Sequence, residues 1–152
     1  MKNDVVIITL HNPQLSRSTA AITRTNVVAE QTAGCDTSSK PTISTVTPIA
    51  ASSNVTITID GSCFGTHAPY NGGSDFLDIR DDTADWDAGC NSCISITVTR
   101  WTDNQIVIAG FSSPYGQGRY YLSNNDAIII TLHNPQLVRS AAAVYRTKVG
   151  GQ

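Results

Sequence analysis

Apolar and polar residues alternate along most of this chain, and a period of two is the pattern of half-buried β-strands. Valine, isoleucine or leucine recurs at every second position in 55–59, 94–98, 106–108 and 128–132. Ala142 and Val144 are expected to continue an inward face, and the segments 42–47 and 76–80 complete about seven strands. No segment has a sustained helical period. The pattern predicts an all-β Greek-key sandwich, which sequence alone separates poorly from a barrel.

The two ends of the chain carry an internal repeat. Residues 3–15 (NDVVIITLHNPQL) reappear as residues 125–137 (NDAIIITLHNPQL), and the likeness extends beyond them to Arg24-Thr25 and Arg146-Thr147. The offset is 122 residues throughout, since His133 repeats His11. Chance does not produce such a match over some 25 positions.

This offset equals one complete sandwich plus a linker, which is typical of a tandem array. The terminal hairpin, residues 1–29, then corresponds to the end of a preceding repeat, 30–40 is a polar linker, and 41–149 is one full domain. The alternative is a single protein in which one hairpin is duplicated.

The terminal hairpin is predicted to mediate assembly. Its strands, 4–11 and 19–27, duplicate the last two strands of the full domain, so the place they would take there is already filled. An isolated hairpin is marginal in water, and its apolar residues would be exposed. We therefore expect head-to-tail contact with copies of this chain or with neighbouring repeats. The candidate assembly residues are Val6, Ile8, Leu10 and Ile22.

The full domain resembles an IPT/TIG domain of large repetitive secreted or cell-surface proteins. Residues 41–48 (PTISTVTP) and 55–65 (VTITIDGSCFG) are similar to the opening of that family, and 101–106 (WTDNQI) is similar to its W-x-D-x-x-I hairpin. Two segments depart from the family pattern: 49–53, where a Gly-rich turn is usual, and the insert 81–93. The resemblance implies an immunoglobulin-like sandwich with Trp101 in its core. It implies less about function, because such modules serve as spacers, adhesive units and partner-binding domains.

Composition favours an extracellular protein. Only 14% of the residues are charged, the formal net charge is −2, and serine, threonine and asparagine take the place of lysine and glutamate. Without a basic block, nucleic-acid binding is not expected. No apolar run approaches the ~20 residues of a membrane span. Asn54-Val55-Thr56 is a formal glycosylation acceptor.

Four cysteines favour disulfides. In a sandwich the first strand runs antiparallel to the second, so Cys35 before strand one and Cys63 at the end of strand two are expected to bond. Cys90 and Cys93 then pair locally or with another chain. Zinc is the competing interpretation of the Cys90-x-x-Cys93 spacing, but a second close pair is absent.

No catalytic site is predicted. The candidate bases His11, His67 and His133 have no evident nucleophile partner. The segment 61–65 (GSCFG) superficially resembles a nucleophile elbow, but no helix follows it. Its glycines are expected to allow positive φ.

Two binding sites are weaker candidates. One is a calcium site in an acidic segment that begins with Asp75 and Asp78. The better calcium ligands in this segment are Asp81, Asp82, Asp85 and Asp87.

The other is a sugar-binding site, because sugars bind to the faces of aromatic rings. The aromatic residues expected in loops are Tyr70, Trp86 and Tyr115. Structural loop packing is the alternative for all three. No other cofactor is expected.

These patterns favour a non-enzymatic structural repeat of an extracellular surface or filament protein. The alternative is a carbohydrate-binding or adhesion module that binds glycans. Coplanar exposed aromatic rings would favour the second function.

Overall fold

The computed structural model describes residues 4–10, 21–27, 35, 40–90, 93–137 and 141–150, with backbone only for the first two segments. The chain divides into two compact units, Met1–Ala33 and Gly34–Gln152. The first unit holds β1 (Asp4–Leu10) and β2 (Ala21–Val27), which pair antiparallel.

The second unit is all-β in its described part, with nine strands and no helix. A five-stranded sheet has the order β3-β4-β9-β8-β5 and a four-stranded sheet the order β11-β10-β6-β7, with every neighbouring pair antiparallel. The strands are β3 (Thr42–Val46), β4 (Ile57–Ser62), β5 (Tyr70–Gly72), β6 (Leu77–Asp81), β7 (Trp86–Ala88), β8 (Ile96–Thr102), β9 (Gln105–Phe111), β10 (Ala127–Leu132) and β11 (Ala143–Lys148). Among the described residues, none belongs to a helix of the length and hydrophobicity that crossing a bilayer requires.

The core forms from the alternating residues that the sequence pattern identifies. Isoleucines at every second position of β4, β9 and β10 are completely or almost completely buried, as are Leu77 and Ile79 of β6. Trp101 is also buried, and its indole N–H donates to the carbonyl of Phe64 at 3.2 Å. Two antiparallel sheets around one apolar core are the arrangement of a β-sandwich.

The strand count and the face of the last strand differ from the prediction. Two strands of three residues, β5 and β7, bring the domain to nine strands. In β11 the buried residue is Ala143, whereas Val144 is 49% exposed. Leu132 pairs with Ala143, and a register slip of one residue turns every side chain to the other face.

The Cys35–Cys63 disulfide is present, as expected, and links the segment before β3 to the end of β4. Cys63 has a φ of 60°, and Gly65 follows with a φ of 70°. Gly61 is needed for another reason than positive φ, because a Cβ there would meet the backbone carbonyl of Thr42 and the ring of Phe64.

Candidate functional site: the β6–β10–β11 surface

The strand pair β10–β11 has the same register as β1–β2. Ile128 lies opposite Thr147, and Val6, 122 positions before Ile128, lies opposite Thr25. All six residue pairs of β10–β11 have a counterpart at this offset. In addition, 18 of the 25 positions from Asn3 to Val27 are identical to their counterparts. The repetition thus extends from the sequence to the backbone pairing.

In the second copy, β10 packs against β6 through one apolar face. Leu132 lies opposite Leu77 and Ile130 opposite Ile79, and all four side chains are almost fully buried. The corresponding residues of the first copy are Leu10 and Ile8, and Val6 corresponds to the buried Ile128. The side chains of these candidate assembly residues lie outside the described part of the structure. Their sequence retains the face by which β10 packs on β6.

The loop after β10 binds the body of the domain through two amide side chains, which we call the loop clamp. Asn134 is buried, and its Nδ2 donates to the carbonyl of Cys63 at 2.8 Å. Its Oδ1 accepts from the N–H of Gln136 at 2.9 Å. Gln136 in turn accepts from the N–H of Thr66 at 2.7 Å and donates to the carbonyl of Thr66 at 2.6 Å.

The loop clamp was not predicted, although the sequence contains its signal. Asn134 and Gln136 repeat Asn12 and Gln14 without change. The first copy therefore carries the two amides with which the second copy binds the turn after β4. It also carries the apolar residues with which the second copy packs on β6.

The counterpart of Ile22 lies outside the buried face of β10–β11, and the assignment of Ile22 itself to the assembly surface stays a prediction. Ile22 corresponds to Val144, which lies on the exposed face of β11 beside Arg146 and Lys148. β11 is an edge strand, and charged side chains on such a strand oppose unspecific pairing. The side chain of Ile22 itself is outside the described part.

A buried carboxyl group lies where β6 meets β10. Asp81 is fully buried, and its Oδ1 accepts from the N–H groups of Thr83 and Ala84, each at 2.9 Å. Burial raises the pKa of Asp81, and the nearby Asp126 carboxyl raises it further, whereas the two N–H groups lower it. Asp126 of the second copy corresponds to Asp4 of the first.

The proposed calcium ligands are not brought to one point. Three of them surround Arg80, which contacts Asp82 at 3.3 Å, Asp85 at 2.7 Å and Asp87 at 3.5 Å. The fourth, Asp81, instead accepts hydrogen bonds from the N–H groups of Thr83 and Ala84. Among the described residues, these four acids form no group of three or more within reach of one ion. The Arg80 guanidinium is the positive charge that three of these carboxylates bind.

The aromatic residues do not form an exposed platform, and their placement in loops was wrong for two of the three. Trp86 is on β7 and only 3% exposed, and Tyr70 is on β5 and half-buried. Tyr115 does lie in a loop, where it stacks on Phe111 at 5.1 Å and meets Trp86 edge-on at 6.0 Å. The two acidic neighbours of Trp86, Asp85 and Asp87, both bind Arg80 of the adjacent strand.

The remaining candidates are the three histidines and the glycosylation acceptor Asn54. His67 packs among the rings of Tyr70, Phe76 and Trp101, with centroids 5.1 to 6.1 Å apart. His133 is half-buried, and its backbone N–H donates to the carbonyl of Phe76. His11 lies outside the described residues. Asn54 is exposed in a turn before β4, where a glycan would be accessible.

The chain was compared with family models, with curated proteins and with solved structures, and none of them matches it.

Proposed function

We propose that this chain is a structural module of an extracellular surface or filament protein and that it assembles head to tail through the terminal hairpin. The observation that carries the proposal is the loop clamp. Asn134 and Gln136 hold the backbone of Cys63 and Thr66, and the first copy repeats both side chains. Retention of both amides is what equivalent packing of the two copies requires.

The proposed assembly contact follows from the correspondence between β1–β2 and β10–β11. The first copy packs on β6 of a neighbouring module as β10 packs on its own β6, and Asn12 and Gln14 bind the turn after that neighbour's β4. In an array the neighbour is the preceding repeat. Between separate chains, the hairpin exchanges with the β10–β11 pair of another copy. Such an exchange has a low cost in free energy. The packing that β10 gives up on β6 of its own chain is formed again on the same β6 by β1 of another chain.

The module is proposed to be immunoglobulin-like and related to IPT/TIG domains. Support comes from the antiparallel sheets of five and four strands and from the buried Trp101, which the resemblance assigned to the core. An extracellular location is supported by the disulfides Cys35–Cys63 and Cys90–Cys93, which persist in oxidising compartments.

Sedimentation velocity over a range of concentrations tests the assembly. The full chain should form a concentration-dependent series of oligomers that appear as linear filaments in electron micrographs. Deletion of residues 1–29 should leave a monomer, because the hairpin that exchanges is gone.

Two variants sharpen this test. The double change Asn12→Ala and Gln14→Ala should weaken association while the domain's own clamp stays intact. The control Lys2→Ala should have no effect, because the second copy has asparagine at that position. Equal monomer fractions for the full and the truncated chain would refute the proposal.

A further inference from the structure

The Cys90–Cys93 disulfide lies beside a carboxyl group. Cys90 and Cys93 follow β7 and bond to each other, and Asp78 is on the adjacent strand β6. A carboxylate oxygen of Asp78 and the two sulfur atoms all lie within 4.8 Å of one another. All three residues are half-buried, so solvent reaches this cluster.

Backbone hydrogen bonds hold the two cysteines in place without help from the sulfur–sulfur bond. The N–H of Gly89 donates to the carbonyl of Ile94 at 2.8 Å, and the N–H of Ile94 donates to the carbonyl of Asp87 at 3.1 Å. The N–H of Cys93 donates to the carbonyl of Cys90 at 3.3 Å. Such a frame would keep the sulfur atoms close after reduction, so that the bond could form again.

The two sulfur-bearing residues border separate surface grooves. Cys93 lines a groove of about 320 Å³ with Arg119 and Tyr120, and Cys90 lines one of about 260 Å³ with Asp78 and His133. A thiol can therefore approach the disulfide from solvent. By contrast, Cys63 of the other disulfide is buried.

The charge around Asp78 suits proton exchange near neutral pH. Burial raises the pKa of Asp78 to about 6, the Asp87 carboxylate on β7 raises it as well, and Arg80 opposes both. His133 and Thr131 face the same groove from the side of β10, and Asp75 borders it from the segment before β6. A carboxyl group with such a pKa is present in both protonation states between pH 5 and 7.

We propose that Cys90 and Cys93 form a thiol–disulfide exchange site and that Asp78 transfers the proton. The substrate class is an external dithiol or its oxidised form. This activity is independent of the assembly through the terminal hairpin.

Reduction of the Cys90–Cys93 disulfide takes two exchange steps. A thiolate of the external dithiol attacks one sulfur of the Cys90–Cys93 bond, forms a mixed disulfide and releases the other cysteine as a thiolate. That thiolate takes a proton from the Asp78 carboxyl group, either directly or through one water molecule. The second thiol of the reagent, as its thiolate, then attacks the mixed disulfide and releases the remaining cysteine, which takes a proton from solvent. The reagent ends as a disulfide, and Cys90 and Cys93 end as two thiols.

Reduction of the full chain by limiting dithiothreitol tests the proposal, with iodoacetamide quenching and peptide mapping by mass spectrometry. Cys90 and Cys93 should be labelled at least tenfold faster than Cys35 and Cys63, which serve as the control within the same molecule. Labelling of both pairs at one rate would overturn the proposal.

A pH profile of the reduction rate tests the role of Asp78. The rate of reduction, divided by the concentration of the reagent's thiolate, should fall severalfold as the pH rises through about 6, because the proton donor is lost. Asp78→Asn should remove this step while leaving Cys35–Cys63 as resistant as before, which verifies that the variant is folded. A step of unchanged size in Asp78→Asn would exclude the carboxyl group from the reaction.

Discussion

Leu132 pairs with Ala143 across β10 and β11, and the residues 122 positions earlier, Leu10 and Ala21, pair with each other across β1 and β2. One strand pair thus occurs twice in the chain with one register. Because register determines which side chains share a face, we expect the same positions to share a face in both copies. In the second copy, this face packs against β6 of its own domain.

The loop clamp is expected to contribute measurably to stability. Asn134→Ala should lower the free energy of unfolding by about 1–3 kcal/mol, because it leaves the buried carbonyl of Cys63 without its donor. Gln117→Ala, at an exposed loop position, is the control and should change it by less than about 0.5 kcal/mol. Urea unfolding measures both, and equal effects would show that the clamp does not hold the loop.

The two disulfides should differ in what they contribute to stability. Cys35 and Cys63 are 28 positions apart, whereas Cys90 and Cys93 are 3 positions apart. In the chain-entropy model, closing the longer loop stabilises by about 3.5 kcal/mol and closing the shorter one by about 2 kcal/mol. Replacing each pair by serine and measuring thermal unfolding checks this order. A larger loss from the Cys90–Cys93 pair would contradict it.

Asp78 should make stability depend on pH in a defined direction. Its pKa is raised from 3.8 to about 6 in the folded protein, so the folded state holds the proton more tightly than the unfolded state does. The favourable contribution is complete below about pH 4 and is lost as the pH rises through about 6. Asp78→Asn should therefore be more stable than the parent protein above pH 6 and similar to it below pH 4.

The expected gain above pH 6 is about 1 kcal/mol, well below the full conversion of the shift, because the group is partly solvated. Urea titrations from pH 3.5 to 7.5 measure it. A difference between the two proteins that stays constant over this range would assign the effect to packing instead of ionisation.

The sequence predicted the buried strands because their alternation is strict. It misassigned β11 because Ala141, Ala142 and Ala143 show no difference between faces, and only pairing with Leu132 decides which one is buried. It placed Trp86 in a loop, whereas Trp86 pairs with Asp81 in the short hairpin of β6 and β7. The acids that flank Trp86 do not mark a solvated loop, because both bind Arg80 of the adjacent strand.

The assembly surface could be predicted only in part. The alternation of β1 showed which of its positions are apolar. Asn134 and Gln136, by contrast, are polar residues of the kind found in any turn. Their bonding partners, Cys63 and Thr66, lie about 70 positions earlier in the chain. Proximity of this kind is determined by the fold. The only trace in the sequence is the unchanged repetition of both amides.

The most direct test uses a chain that ends at residue 124. It lacks β10 and β11 but keeps the terminal hairpin, so β6 is open to the first copy. Circular dichroism and sedimentation velocity are compared with those of a chain of residues 34–124, which lacks both copies. We predict that residues 1–124 fold, with β1 paired to β6 in the same chain or in a linear polymer, and that residues 34–124 do not. If residues 1–124 are as unfolded as residues 34–124, the two hairpins are not equivalent and the proposed assembly is wrong.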